Sequence, residues 1–163
     1  MDETECADLT YAAHSEEVEL VRANEAFLDR RPLDHVGRFL DLACGPGVVS
    51  EMLMARCPSA HLQGIDYDPA HVDLASQRFR VLGYEVRRGF DLTSDRVNGR
   101  PVLTFGVGSA DELPFPDASF GCTTITNAIH LLPEKARLAA AVVSPATAAA
   151  SAGPPVSPLP MPR

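Results

Sequence analysis

Phe39-Leu-Asp-Leu-Ala-Cys-Gly-Pro-Gly47 is the stretch whose reading decides the fold. Arg38 to Ala43 is a short apolar run that ends in glycines, the signature of a buried strand. A helix over 48–57 follows and is closed by Pro58. Gly45 and Gly47 let the backbone of the turn approach a ligand with no Cβ in the way. The helix directs its free N–H groups at the same turn. A second strand, 61–66, ends in Asp66, where an acid can accept hydrogen bonds from both hydroxyls of a ribose.

Outward from this unit the chain alternates helices and strands. Residues 15–30 carry Val18, Val21, Ala26 and Leu28 at helical spacing, with Ser15 as N-cap and Pro32 beyond the end. The helix over 69–83 has Asp68-Pro69 at its start, a stripe of Val72, Ala75, Phe79 and Leu82, and Gly83 after it. Residues 84–100 are ambiguous, with Asn98-Gly99 as a turn signal. Strands are expected at 101–108 and 119–126, a loop or at most one helical turn at 109–118, and a last helix from Pro133 to about Val143. The expected fold class is α/β: a Rossmann-like, doubly wound, mostly parallel sheet with crossover helices on both faces and about four core strands.

The chain has 163 residues, one domain's worth, and 45% of them are hydrophobic against 22% charged, which excludes a wholly disordered protein. No apolar run is long enough for a membrane span. The polar, acidic start is not a secretory signal. A net charge of −8 makes a poor non-specific binder of nucleic acid or anionic membrane and suits a cationic or neutral small ligand. Cys6, Cys44, Cys57 and Cys122 are scattered without metal-ligand spacing and read as free thiols in a reducing, cytoplasmic setting; no metal is expected. Every acidic residue lies at or before Glu134, and residues 144–163 hold six of the 14 prolines. The organisation is therefore an N-terminal helical segment (1–35), a nucleoside-binding unit (36–143) and a disordered Pro/Ala-rich tail (144–163).

The residues also narrow the nucleoside. A nicotinamide site would read G-x-G-x-x-G, but position 50 is Ser. No Gly-Lys-Ser/Thr follows the glycines, which excludes a P-loop. Asp41, just ahead of the turn, would repel a pyrophosphate and attract a cation. S-adenosyl-L-methionine has a ribose, a sulfonium, an ammonium and no phosphate, and it answers each of these features.

FLDLACGPG (39–47), GIDYDPAHVDLA (64–75) and GSADELPFPDASF (108–120), in this order, resemble class I S-adenosylmethionine-dependent methyltransferases. Within them the resemblance is to the small-molecule, methyltransferase type 11-like group that includes quinone- and sterol-type enzymes. It covers roughly residues 36–140. It implies methyl transfer from S-adenosylmethionine to a small-molecule acceptor. It implies that Asp41 and the backbone from Ala43 through Gly45 to Gly47 hold the methionine part. Asp66 would take the ribose hydroxyls, with Tyr67 beside the adenine and Ser109, Ala110 and Asp111 at its edge. Asn127 would lie near the transferred methyl and His130 on the substrate side, a candidate base; a single His among Ile129, Leu131 and Leu132 reads first as a packed or partly exposed residue, and the base role comes second. His14, His35, His61 and His71 are expected at the surface.

The chain departs from the family in three places. Ser109 stands where an adenine-binding Asp is frequent, and Gly121 where Asp usually follows Phe. The family's fifth strand and C-terminal hairpin have no counterpart before the Pro/Ala tail, so the chain reads as C-terminally truncated with its fourth strand an open edge. A second reading follows: a non-catalytic fragment that binds cofactor, or a partner through that edge.

Overall fold

A computed structural model describes residues 17–110 and 112–126. Helix α1 is Val18–Leu28, and buried Leu28 anchors it. Strand β1 is Arg38–Leu42, helix α2 Val48–Arg56, strand β2 His61–Asp66 and helix α3 Pro69–Val81. The short strand β3 is Val86–Arg88, followed by the two-residue strands β4 (Arg96–Val97) and β5 (Arg100–Pro101). Strands β6 (Leu103–Val107) and β7 (Cys122–Ile125) complete the set. The sheet order is β3-β6-β2-β1-β7, and every neighbouring pair is parallel.

The fold class is the one expected, and the sheet has five strands where four were legible. The addition is β3, from the ambiguous segment, paired along β6 at the register Val86 to Leu103. Its edge is charged. Arg87 reaches Asp91 at 3.0 Å and Asp95 at 2.7 Å, and Arg88 reaches Asp73 at 2.6 Å. The hairpin β4–β5 turns at Asn98 (φ 52°) and Gly99 (φ 79°), two successive left-handed residues that match the Asn-Gly signal.

Parallel strands send alternate residues to opposite faces. One face carries Phe39, Leu62, Val86, Leu103 and Phe105, sealed by Val49, Leu53, Val72, Ala75 and Phe79 of α2 and α3. The other carries Leu40, Leu42 and Ile65. Helices were expected there as well. Among the described residues a loop does that work: Ala110, Leu113, Phe115 and Phe120 pack on that cluster. The connection from β6 to β7 thus crosses β2 and β1 as a loop, and Phe115 joins Phe90 and Phe120 edge to face at 5.9 and 4.9 Å.

Local signals explain the ends of the elements. Asp68 caps α3, accepting from the Ala70 N–H at 2.8 Å, and Pro69 opens the first turn. Gly83 (φ 81°) ends it, with its N–H on the Arg80 carbonyl at 3.0 Å. The buried stripe of α3 is His71, Val72, Ala75, Ser76 and Phe79; Leu82, placed on it by periodicity, lies past the helix and is exposed. Gly64 sits opposite Asp41 in the β1–β2 register, and a Cβ there would come within 2.4 Å of the Phe105 ring. Ser15, the tail and the helix expected from Pro133 lie outside the described residues.

Candidate functional site

The turn between β1 and α2 is left-handed at three places: Ala43 (φ 53°), Gly45 (φ 52°) and Gly47 (φ 84°). Ala43 is the unusual one, because an L side chain is strained there. Gly47 has a packing role beyond the one expected of it. A Cβ on Gly47 would lie 3.1 Å from the Ala75 Cβ, so its bareness lets α2 start against α3. The amides of the turn are occupied internally. Cys44 N–H donates to the Ile65 carbonyl at 3.0 Å, Gly47 N–H to the Cys44 carbonyl at 3.1 Å, and Gly45 N–H to Asp66 Oδ2 at 2.8 Å.

Two acids flank this turn, in different settings. Asp41, in β1, is fully buried. Ser50 Oγ of α2 donates to its Oδ2 at 2.6 Å, and Thr124 Oγ1 of β7 to its Oδ1 at 3.0 Å. Burial pushes its pKa up to about 6 from an ordinary 3.8, against the pull of those two hydroxyls, and nearby Asp66 adds to the rise. Asp66, at the end of β2, accepts from the Gly45 N–H and, at 3.0 Å, from the Asp68 N–H. Burial raises its pKa too. The bonds from His71, Asp68 and Gly45 outweigh that, and Asp66 stays below the usual carboxylate range.

His71 corrects an expectation. It is buried, not at the surface, with Nδ1 3.4 Å from Asp66 Oδ1 and 3.8 Å from Asp68 Oδ2. The signal was present: His71 lies four residues before Ala75, on the stripe that α3 turns inward. Ser50 and Thr124 were also missed as partners of Asp41, since only the β1–β7 register and the seat of α2 bring them to it.

Of the remaining candidate residues, those described fall around the same strand ends. Tyr67 is exposed beside Asp66. Gly108 N–H donates to the Asp66 carbonyl at 2.9 Å, which ties the 108–110 segment to the end of β2. Ser109 is exposed there, and Ala110 turns into the loop-face cluster. Asp111, Asn127 and His130 lie outside the described residues. Cys44 is buried, and its thiol is pushed well above its usual range by burial, then by Asp41 and Asp66, so it is no nucleophile. Cys44, Cys57 and Cys122 are free, and no His, Cys, Asp and Glu cluster among the described residues could hold a metal. No helix among them is long and apolar enough to cross a membrane. Two clefts lie elsewhere, one of about 380 Å³ at the opposite strand ends between Asp34 and Cys57, and one of about 250 Å³ outside α2 and α3.

Comparison with known proteins bears on the family and the fold. Residues 39–145 match the family described as Methyltransferase domain. The chain belongs to that family. It is 33% identical over 104 residues to the demethylmenaquinone methyltransferase of Thermus thermophilus, a match covering 64% of this chain and 38% of that one. It is 37% identical over 96 residues to the trans-aconitate 2-methyltransferase of Methylobacterium nodulans, covering 59% and 36%. This methyltransferase domain therefore spans little more than a third of those relatives. Among solved structures, a complex of the Haloferax volcanii Trm112 methyltransferase activator contains a chain of the same fold. There the TM-score is 0.61 at 21% identity, over 87% of this chain and 54% of that one.

Proposed function

We propose that the chain binds S-adenosylmethionine at the C-terminal ends of β1, β2 and β6 and serves methyl transfer to a small-molecule acceptor. One observation carries the choice of ligand. Two buried acids, Asp41 and Asp66, flank the turn where a diphosphate would have to lie, and the amides of Cys44, Gly45 and Gly47 are already occupied inside the protein. That setting opposes a dinucleotide and suits a cationic nucleoside. When bound, the cofactor supplies an activated methyl group on its sulfonium.

The chain's own residues would bind and orient. Asp66 has its carboxylate plane fixed by the Gly45 and Asp68 amides. A carboxylate offers about four acceptor sites, which leaves it room for a ribose hydroxyl. Tyr67, Ser109 and Ala110 would border the adenine, with Asp111 assigned there by the family resemblance alone, and the backbone from Ala43 to Gly47 would cradle the methionine part. Asp41 acts through its field, because Ser50 and Thr124 occupy its oxygens and it is sealed from solvent. Asn127 would serve near the methyl, as the family resemblance implies. His130 is the candidate base, needed only where the acceptor must lose a proton. The chain's contribution to rate is alignment of acceptor and methyl, and exclusion of water.

The kinship with a demethylmenaquinone and a trans-aconitate methyltransferase supports a small acceptor, a quinone or an organic acid. The free thiols favour a reducing, cytoplasmic compartment. The cofactor unit is 36–143, between the helical segment 1–35 and the tail 144–163. A second reading, a fragment that captures cofactor or a partner along β7, draws on β7 being the sheet's edge among the described residues. Titration calorimetry with S-adenosylmethionine tests the site. Binding by the wild type, weakened at least tenfold in Asp66→Asn, is the expected result (about 1.4 kcal/mol). Heat absent from both proteins, or equal affinity in both, removes the proposal. Methyl transfer to a quinone or tricarboxylate panel then separates enzyme from fragment.

A further inference from the structure

We propose that Asp41 couples cofactor capture to proton release: in mildly acidic solution the free protein holds it as a carboxylic acid, and uptake of a cationic nucleoside ionises it. The inference rests on the reading above and adds a property to the same site. The proton leaves the Asp41 carboxyl for solvent, and the carboxylate stays behind.

The partners of the acid suit such a change. Both are hydroxyls, and a hydroxyl donates or accepts as its hydrogen rotates. Ser50 and Thr124 can therefore serve the acid as well as the carboxylate. Thr124 Oγ1 also has the Leu40 carbonyl at 3.5 Å, an alternative acceptor for its hydrogen when Asp41 is protonated. Asp66 is the contrast, since the backbone N–H groups of Gly45 and Asp68 donate only and demand the charged form.

The charged and titratable surroundings push the same way. From β2 comes Asp66, a like charge, itself bonded by His71 of α3. From the turn comes Cys44 and from β7 Cys122, both thiols held neutral by burial first. From α2 only the neutral Ser50 reaches it. No Arg or Lys among the described residues pairs with Asp41. A cation arriving at the turn would supply the missing counter-charge, and by linkage a ligand that favours the carboxylate must expel the proton.

Calorimetry on the full chain with S-adenosylmethionine, from pH 5 to 7.5 in two buffers of different ionisation enthalpy, reads this directly. Affinity should rise about tenfold per pH unit below about pH 6 and then level off, with about one proton released per cofactor on the acid side. Asp41→Asn should bind more weakly, with a flat profile and no release. Ser50→Ala, which keeps the acid and removes a donor, should move the plateau to higher pH. Tight binding with a flat wild-type profile overturns the inference alone. So does release that persists in Asp41→Asn, or a Ser50→Ala plateau that stays in place. No binding at any pH overturns the inference together with the cofactor reading.

Discussion

The two faces of the sheet are built differently. On one, Phe39, Leu62, Leu103 and Phe105 meet two helices, and three large rings (Phe39, Phe79, Phe105) are fully buried. On the other, Leu40, Leu42 and Ile65 lie under a single loop whose Leu113, Phe115 and Phe120 are only half-buried. The first face holds the fold, and it also holds Asp41, which points into it beside Phe39. The second face is a cover, and it carries Ser109 and Ala110 toward the site. Stability is thus concentrated on one side of the sheet and adaptability on the other.

Substitutions can break or sharpen that contrast. Phe105→Ala on the helix-sealed face should cost about 3–5 kcal/mol in urea unfolding. Asp41→Asn tests the charge in the same face. The folded carboxyl titrates at about 6 against an ordinary 3.8, so the folded chain binds that proton more tightly than the unfolded one. Wild type should lose stability relative to Asp41→Asn as pH rises from about 4 to 6, by about 3 kcal/mol in all, measured as a widening gap in Tm. Gly64→Ala should cost about 1–3 kcal/mol by overpacking against Phe105. Phe115→Ala, on the loop face, should cost about 1–2 kcal/mol, because less of its ring leaves water on folding. Asp68→Ala should cost about 1 kcal/mol through the lost cap of α3. If Phe115→Ala proves as costly as Phe105→Ala, the loop is a full core layer and the contrast fails.

The glycine turn, its flanking strands and helix α3 were legible because each has a strong local signal: apolar runs, Pro69, Gly83, and acids at strand ends. What stayed hidden depends on partners distant in sequence. β3 is three residues long and two of them are arginines, so nothing in its composition marks a strand; β6 makes it one. Asp41 was legible as an acid before a turn, yet its burial and its two hydroxyl partners come from α2 and β7. His71 is the exception, since its place four residues before Ala75 on the inward stripe of α3 is a local signal that outweighs the surface default for a lone histidine. The loop over 109–118 was legible from its prolines, but not its role as the cover of a sheet face.

The clamped arginines of β3 bear on how the chain behaves in a crowded solution. Without that strand, β6 would end the sheet with a bare row of amides and carbonyls backed by Leu103 and Phe105, a template for another molecule. Three residues fringed by guanidinium groups offer a poor template, so this side of the sheet is guarded against the stacking that begins fibres.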